Sequence, residues 1–442
     1  MSTALRPDPA PGGRVPRLTR AAGFWLLGIA QLTLMAASSA PSPLYSEYAR
    51  RWDLSATALT VVFAVYALAL LVALLVAGGL SDHLGRRPVL VAALVGEAAA
   101  MAVLLTAGGV GQLIAGRALQ GLATGAATGA ISAGLIDLQH PGSKLGPLLT
   151  SAGTAGGMAV GALAGGALTQ YSSSPHVVVF GLLTAAFLVL AAAVVLVPET
   201  SPLRPGALAS LQPRVSVPHT DRTSFLLAAP AFIASWAIGG LYLSLGSSLT
   251  ADILRTDNHV TAGLVVALLP GAAALACVAL RGMAPLPMML FGSVTLVAGT
   301  LLTLPALLVP STPLLLATTV VAGLGFGTAF FGAFRMLAQT AHEKRAQLFA
   351  AVYVVCYLAN SVPAVAAGLA VPHAGLRSTA VCYLGAVTVL ALLPIPFGVA
   401  ALRRARNAAA GPRPVTVPGP EAVDGSSAGI APAAAQAPAA RL

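Results

Sequence analysis

Long apolar stretches separated by short polar ones dominate the sequence. Runs of weakly charged residues long enough to cross a bilayer, which takes about 20 residues in a helix, recur along most of the chain. They begin near residues 22, 56, 88, 111, 145, 176, 223, 260, 284, 312, 347 and 377. The pattern therefore predicts an all-α membrane protein with twelve transmembrane helices.

The longest interruption of the hydrophobic region divides the runs six and six. It is rich in proline and charge, which is typical of a connecting segment. The stretch that follows the last run is rich in Ala, Pro and Gly without apolar periodicity and cannot bury a core. We therefore expect a cytoplasmic arm at 1–21, a six-helix bundle at 22–197, a cytoplasmic linker at 198–222, a second six-helix bundle at 223–401 and a disordered cytoplasmic tail at 402–442.

An internal repeat supports the six-plus-six division. A shift of 202 residues superposes Gly121 on Gly323, Gly125 on Gly327, His140 on His342 and Gly166 on Gly368. Glycine is abundant here, so each match alone is weak. Together they predict two pseudo-symmetric bundles, as in transporters built from related halves.

Composition excludes several other classes of protein. Of 442 residues, 57% are hydrophobic and 8% are charged, which is too little charge to coat a soluble multidomain enzyme. The net charge is +11. Twelve spans that alternate in direction place both termini on the same side of the membrane. That side carries 19 of the 24 Lys and Arg, and the other side carries only four. This distribution predicts cytoplasmic termini by the positive-inside rule and does not indicate a nucleic-acid-binding face.

No motif indicates bound cofactors, metals or enzymatic chemistry. Cys277, Cys356 and Cys382 lie in apolar runs without C-x-x-C spacing, so we interpret them as small core residues rather than disulfide or metal ligands. The sequence contains no G-x-x-x-x-G-K-[ST] loop for ATP, and neither H-E-x-x-H nor G-x-S-x-G occurs within its apolar runs. We therefore expect neither an ATP-driven pump nor an intramembrane enzyme.

The loop between the second and third runs carries the most specific motif. It reads GGLSDHLGRR and contains Gly78, Leu80, Asp82, Gly85, Arg86 and Arg87. These six positions match the loop G-x-L-x-D-x-x-G-R-[RK] of the major facilitator superfamily, which the chain resembles. Small residues here allow close helix approach and a tight turn, while Asp82 and Arg86 can pair at the membrane face.

The resemblance implies a secondary transporter that works by alternating access, with this loop as a conformational latch. It also implies that Asp137, at the end of the fourth run, joins Asp82 and Arg86; a solvated aspartate at a helix end is the alternative. The corresponding loop of the second half offers only Arg281 and Gly282 without an aspartate. We therefore expect the latch in the first half alone.

The fourth run places an arginine within a span. Arg117, Gln120, Gly121, Gly125 and Ala126 are similar to the family pattern R-x-x-Q-G-x-x-x-G-A. A membrane-embedded arginine costs about 2.5–3.5 kcal/mol on insertion scales, so it needs a partner.

The nearest candidate partner for Arg117 is Glu97, midway along the third run and about one turn away in depth. The pair either joins two helices or couples transport to protons. Burial favours the neutral acid and Arg117 favours the charged one, so a change in their separation could load and release a proton. Coupling through Asp137 or His140 is the alternative.

The fifth run contains GMAVGALAGG, with Gly157, Gly161, Gly165 and Gly166. It resembles the antiporter motif G-x-x-x-G-P-x-x-G-G of drug exporters, with Ala162 where proline is usual. Generic small-residue helix packing is the alternative. The motif favours proton-coupled efflux of a small amphipathic compound over import of a metabolite, and transport over a receptor role.

Polar and aromatic residues within the spans are candidates to line a central cavity. They are Gln31, Thr128, Trp236, Tyr242, Tyr353, Tyr357 and Asn360. Each alone could be a packing residue, but as a set they indicate a weakly polar site suited to amphipathic molecules. Two prolines, Pro41 and Pro43, should end or bend the first helix.

The expected partners follow from these assignments. We expect a small-molecule substrate, protons and the lipid bilayer of the plasma membrane, with a monomeric chain. The resemblance extends to exporters of high-GC bacteria, with which 22 Arg against two Lys agree.

Overall fold

The computed structural model describes residues 17–143, 145–201, 203–340 and 345–409. Within these ranges the chain forms α-helices, short 3-10 turns and no strand. The helices are α1 (Arg20–Ser39), α2 (Tyr45–Trp52), α3 (Ala56–Ala77), α4 (Ser81–Leu84), α5 (Arg86–Leu105), α6 (Val110–Leu138), α7 (Leu145–Tyr171), α8 (Pro175–Val194), α9 (Ala207–Ser210), α10 (Arg222–Leu254), α11 (His259–Ala279), α12 (Pro285–Ala306), α13 (Thr312–Thr340), α14 (Arg345–Ala374), α15 (Leu376–Leu392) and α16 (Pro394–Ala409).

Twelve helical segments of the described chain are long and apolar enough to span a membrane. They comprise α1 with α2, α3, α5, α6, α7, α8, α10, α11, α12, α13, α14, and α15 with α16. The predicted all-α architecture with twelve transmembrane helices is confirmed, and each predicted start lies within two residues of the observed one.

Local signals set the helix ends. Thr19, Ser55 and Asn258 each cap a helix, because their side-chain oxygens accept hydrogen bonds from first-turn N–H groups of α1, α3 and α11. Helix α1 ends at Ser39, and the two prolines expected to end it lead into a 3-10 turn at Ser42–Leu44 before α2 begins.

The spans define two faces of the bundle. The linker face carries residues 198–201 and 203–221 and the loop between α3 and α5, since Arg204 N–H donates to the carbonyl oxygen of His83 (3.0 Å). The far face carries α2 and the loop before α11, where Arg50 and Asp257 are 2.7 Å apart. Because neighbouring spans run in opposite directions, the other loops among the described residues fall on one face or the other.

The internal repeat is visible in the packing of glycines. A Cβ atom at Gly121 would lie 2.8 Å from an alanine of α3, and one at Gly323 would lie 2.9 Å from an alanine of α11. These two helix pairs occupy equivalent positions in the two halves. Gly166 of the first half contacts α11, and Gly368 of the second half contacts α3, so each half places its fifth span against the second span of the other.

Two expectations about the chain need correction. Helix α16 continues to Ala409, eight residues into the predicted tail, because Ala, Leu and Arg are strong helix formers. Cys277 and Cys356 are buried as expected, but Cys382 is exposed, since an apolar residue of a spanning helix can face lipid instead of protein. The rest of the predicted tail (410–442), residues 1–16 of the arm and His342 lie outside the described residues.

Candidate functional site

The two six-helix halves are joined by hydrogen bonds near the far face. Ser42 after α1 donates to the carbonyl oxygen of Leu243 on α10 (2.9 Å). Thr57 of α3 donates to the carbonyl oxygen of Gly368 on α14 (2.9 Å). Every described hydrogen bond between the halves lies toward this face, whereas those at the linker face run from each half to residues 198–221. The halves are therefore fastened together on the far side.

A cluster of charges adds to the far-face contact. Arg50 of α2 pairs with Glu47 (2.8 Å) and with Asp257 in the loop before α11 (2.7 Å). Its Nη2 atom is also 3.3 Å from Nε2 of His259, whose backbone N–H donates to Gln170 Oε1 (2.8 Å). These groups are largely exposed, so each pair contributes about 0–1 kcal/mol and the apolar helix contacts dominate.

The stripe of glycines on α7 brings helices into direct backbone contact. Gly157, Gly161 and Gly165 face α1, and a Cβ at Gly157 would lie 2.7 Å from a carbonyl oxygen of that helix. Gly166 faces Gly263 of α11 across the boundary between the halves, with a Cβ at either position 2.9 Å from the Cα of the other. The stripe thus packs α7 within its own half and also closes the far side.

A hydrogen-bonded charge network occupies the linker face of the first half. Arg86 forms an ion pair with Asp82, donates to Ser81 Oγ (2.8 Å) and reaches Asp137 Oδ2 through Nε (3.3 Å). Thr200 donates to the same Asp137 oxygen (2.9 Å). The Arg86 side chain is 16% exposed, so water screens these interactions only in part. The structure thus brings together Asp82 and Arg86 of the loop motif with Asp137, the residue that the resemblance implied would join them.

The glycines and second arginine of the motif shape the turn around this network. Gly85 has φ of +94°, where a side chain would be strained, and it turns the chain sharply into α5. A Cβ at Gly129 of α6 would lie 3.2 Å from the carbonyl oxygen of Gly78, so α6 approaches the loop closely. Arg87 donates to the carbonyl oxygen of Val195 after α8 (3.2 Å) and does not join the charge network.

Glu199, in the linker, is a member of this region that sequence reasoning missed. Its carboxylate accepts hydrogen bonds from the backbone N–H groups of Arg86 (2.8 Å), Arg87 (2.9 Å), Thr200 (3.0 Å) and Ser201 (3.1 Å). Burial opposes the charge, but the four hydrogen bonds outweigh it and hold the pKa of this carboxyl below its ordinary value of 4.5. Glu199 therefore caps the N-terminus of α5 from a distant segment. The sequence signal that could have identified Glu199 is its position directly after the proline at the end of a span.

Glu97 lies midway along α5 and is fully buried. Its Oε1 atom accepts a hydrogen bond from Thr124 Oγ1 of α6 (2.5 Å). Its Oε2 atom has no hydrogen-bond partner among the described residues. A carboxyl group in such a place is energetically costly in its charged form.

Arg117 is buried on α6 and 1% exposed. It donates to Gln120 Oε1 (2.6 Å) and to the carbonyl oxygen of Ser38 on α1 (3.4 Å). Its guanidinium carbon lies 4.2 Å from the ring centroid of Tyr66 on α3, a distance suited to a cation–π contact. The charge is thus stabilised by a ring, an amide and a carbonyl.

The expected pairing of Arg117 with Glu97 is wrong, because no salt bridge within the described chain joins them. Glu97 is level with Thr124, seven residues beyond Arg117 on α6. At 1.5 Å per residue that is about 10 Å, or two turns rather than one.

Six aromatic side chains of the second half form a continuous surface that we call the aromatic wall. Its members are Trp236 on α10, Phe330 and Phe334 on α13, and Phe349, Tyr353 and Tyr357 on α14. The ring centroids of neighbouring members are 4.6–6.4 Å apart when the rings are taken in the order Phe349, Phe334, Phe330, Trp236, Tyr357 and Tyr353. Every member is half-buried. Spacings of four residues place each set on one face of its helix.

The wall runs from the linker face into the interior. The Arg345 guanidinium lies 5.6 Å from the Phe349 ring at the first turn of α14. At the other end Tyr357 packs against the cluster that Tyr66, Ala67 and Leu70 of α3 form in the first half. Trp236 Nε1 is buried and has no acceptor among the described residues. Sequence reasoning named Trp236, Tyr353 and Tyr357 but missed the phenylalanines, although their four-residue spacing was visible.

The remaining cavity candidates lie elsewhere. Gln31 donates to a threonine of α7 inside the first half (2.9 Å), and Thr128 donates to a carbonyl of its own helix (2.7 Å). Tyr242 and Thr319 share a hydrogen bond inside the second half (3.2 Å). Asn360 is buried, with its backbone against α10. The structure thus shows packing contacts for these four residues.

Twelve spans in two related halves, with a charged loop after the second span, agree with one family of transporters. The sequence profile of the Major Facilitator Superfamily matches residues 27–363, more than half of the chain. This chain belongs to the Major Facilitator Superfamily. It is therefore a multi-pass membrane protein of a family whose members are transporters and not enzymes.

Two comparisons with individual proteins add detail. The tetracycline resistance protein, class C, of Escherichia coli is 40% identical over 114 residues, which are 25% of this chain and 28% of that protein. The alignment thus spans less than a third of the relative. The crystal structure of the human organic anion transporter MFSD10 has a TM-score of 0.63 at 17% identity, and the match covers 86% of this chain and 100% of the other, which shows that the two share a fold.

Proposed function

We propose that this superfamily member is a proton-coupled exporter of small amphipathic compounds and works by alternating access. The aromatic wall carries the proposal. Its rings offer broad apolar surfaces, on which stacked aromatic groups gain about 0.5–1.5 kcal/mol beyond the burial of area. The free Trp236 N–H and the tyrosine hydroxyls add a few polar contacts. Such a surface favours flat, mostly apolar molecules with polar edges.

Two observations support export rather than uptake. The relative with 40% identity over the shared segment is a tetracycline resistance protein. The glycine stripe of α7 resembles that of drug:proton antiporters in the superfamily. Import of a small metabolite is the alternative, and a site for a sugar or an organic anion would need more polar or paired basic groups than the wall presents.

The orientation that we propose places both termini and the linker face in the cytoplasm of a cell with this protein in its plasma membrane. The arginine excess on the linker face supports it. With this orientation, closure of the far side by the contacts between the two halves corresponds to an inward-open state. A reporter enzyme active only in the periplasm should stay inactive when fused after Ala409 and become active when inserted after Asp257. Activity of the first fusion would reverse the topology.

The network of Asp82, Arg86 and Asp137 acts in this scheme as a latch that biases the conformational equilibrium. Its contacts join α4, α5 and α6 with the linker, and none of its members belongs to the aromatic wall. The hydrogen bond between Thr200 and Asp137 supports a structural engagement of Asp137 over a solvated helix end. A latch of this kind changes the populations of states without touching substrate.

Glu97 is the proposed proton carrier. It is a fully buried carboxyl with an unpartnered oxygen, and Arg117 lies too far away to neutralise it by direct pairing. In proteoliposomes with an imposed pH difference, Glu97→Gln should abolish accumulation of tetracycline against its gradient and leave passive exchange intact. Asp53→Asn, an exposed acid whose left-handed backbone suits asparagine, is the matched control. Accumulation by Glu97→Gln would remove Glu97 from the coupling mechanism.

Growth of a drug-sensitive bacterial strain that expresses the protein tests the function as a whole. Expression should raise tolerance to tetracycline or to flat aromatic dyes, and Trp236→Ala should remove that tolerance. Trp25→Ala changes an exposed tryptophan on α1 and should not. If expression left tolerance to every toxic compound unchanged and improved growth on a carbon source, the result would favour import instead.

A further inference from the structure

The proposed role of Glu97 raises the question of how a proton reaches it. The residue is fully buried on α5, which packs chiefly against α6 and α8. It is not part of the aromatic wall or of the boundary between the halves. A proton must therefore cross the interior of the first half.

Buried polar side chains fill the space between Glu97 and the far face. Thr124 donates to Glu97, and the Tyr66 hydroxyl interacts with Thr124 and with Ser38. Arg117 lies over the Tyr66 ring. Glu97, Thr124, Tyr66 and Arg117 are thus each in contact with the next member of the series.

Two tyrosines of the far-face segment extend this series. Tyr45 is fully buried and interacts electrostatically with Arg117, and Tyr48 interacts with Tyr45 and with the exposed Arg51. The two tyrosines and Trp52 recur on the inner side of α2, where Tyr48 and Trp52 stack with centroids 4.8 Å apart. We call Tyr48, Tyr45, Arg117, Tyr66, Thr124 and Glu97 the polar file.

Unpartnered atoms recur along the polar file. Among the described residues, the hydroxyls of Tyr48 and Tyr45, Nε of Arg117 and Oε2 of Glu97 are buried without a hydrogen-bond partner. Leaving a buried donor or acceptor unpaired costs free energy comparable to a lost hydrogen bond. Buried polar groups of this kind are the usual positions of internal water, which needs two to four polar partners.

A purely structural role explains the tyrosines less well. Phenylalanine would fill the same positions in the apolar core of the first half without burying a hydroxyl.

We propose that the polar file is a hydrated route by which protons reach Glu97 from the far face. A proton enters from solvent beside Tyr48, passes along hydroxyls and water, and binds to Oε2 of Glu97. Each hydroxyl or water molecule on the route accepts one proton and releases another, so the route itself is left unchanged and the one net new bond is the O–H bond at Glu97. The inference rests on the proposed function of Glu97 and names the residues that supply it.

Infrared spectroscopy of the purified protein tests this route without a substrate. The protonated Glu97 carboxyl should give a C=O band that is missing in Glu97→Gln. After transfer into D2O this band shifts as the proton exchanges. In the double variant Tyr45→Phe/Tyr48→Phe the exchange should slow by about tenfold or more, since each hydroxyl removed takes away a hydrogen-bond partner of the internal water.

Tyr383→Phe is the matched control. Tyr383 is a buried tyrosine of the second half whose hydroxyl donates to the carbonyl oxygen of Ala237 (2.7 Å), and its replacement should leave the exchange rate unchanged. If the double variant does not fold, Tyr45→Phe alone provides the same comparison.

The outcomes separate this route from the function on which it rests. Wild-type exchange in the tyrosine variants, with Glu97→Gln defective in accumulation, would overturn the route and leave the carrier role standing. If no band of the wild-type protein disappeared in Glu97→Gln at any pH, Glu97 would carry no proton and both inferences would fall. Slow exchange in the variants with passive tetracycline exchange unchanged is the result expected.

Discussion

Replacement of Glu199 by alanine should loosen the start of α5 without disturbing the rest of the first half. The carboxylate accepts four backbone hydrogen bonds, two of them from Arg86 and Arg87 at the first turn of that helix. These N–H groups have no acceptor within the helix itself. Gly85, which precedes them, has no side chain to cap the helix, so the linker supplies the only side-chain cap that the described residues give α5.

The size of the effect follows from these contacts. Loss of a side-chain cap costs about 0.5–2 kcal/mol, and loss of a negative charge at a helix N-terminus costs about 0.3–1 kcal/mol. Glu199 is partly open to solvent, so screening moves the sum toward the lower end. We therefore expect about 1.4 kcal/mol, which is a tenfold change in the local opening equilibrium.

Hydrogen exchange of peptides that contain residues 85–90 measures this opening directly. Exchange at the Arg86 and Arg87 amides should be about tenfold faster in Glu199→Ala at neutral pH. Glu199→Gln keeps an acceptor oxygen but not the charge, so its effect should be smaller. Peptides of α13 serve as an internal reference.

The pH dependence of the protection that Glu199 gives to α5 is a second test of the capping role. The pKa of Glu199 in the folded protein lies below its ordinary value of 4.5, so the stabilisation is complete above that value and is lost as the pH falls through the folded pKa. The ratio of wild-type to Glu199→Ala protection, taken at equal pH, should therefore approach one in acid. Equal protection at neutral pH, or a difference that persists in strong acid, would refute the capping role.

Three further predictions concern the latch, the far side and the buried cation. Asp82→Asn should slow transport and leave equilibrium binding of a transported compound within a few fold, and loss of binding by folded protein would place Asp82 in the substrate site. Gly263→Val should force α11 away from α7 and raise maleimide labelling of Gln170→Cys at the far face, whereas unchanged labelling would show that the contact is not needed for closure. Arg117→Lys keeps the charge but loses the planar stack, so the apparent melting temperature in detergent should fall by an amount that corresponds to about 0.5–2 kcal/mol; an unchanged value would mean that the aromatic contact is not stabilising.

Much of this architecture could be predicted from the sequence because a bilayer imposes a length and a polarity on every span. Twelve apolar runs sufficed for twelve helices, and the observed starts fall within two residues of the predicted ones. The repeat at 202 residues also appeared in the sequence, since glycines are required wherever two backbones touch. The charged loop was recognisable because its turn and its ion pair are formed by residues close together in the chain.

The partners of the buried polar groups depended on the tertiary structure. Sequence placed Arg117 near Glu97, but the helices pack with Glu97 beside Thr124, and a shift of one helical turn exchanges one set of neighbours for another. Glu199 caps α5 from more than a hundred residues away, a distance at which no periodicity carries information.

The environment of the aromatic wall also depended on the tertiary structure. Its four-residue spacings are present in the sequence, yet an aromatic residue in a membrane can face lipid, protein or a ligand with equal hydropathy. Trp25 faces outward on α1, whereas Trp236 stacks on Phe330 and Tyr357. The packing of all twelve spans together decides which side of a helix meets another helix. The reason is that an apolar side chain has almost the same transfer free energy into lipid as into the protein interior.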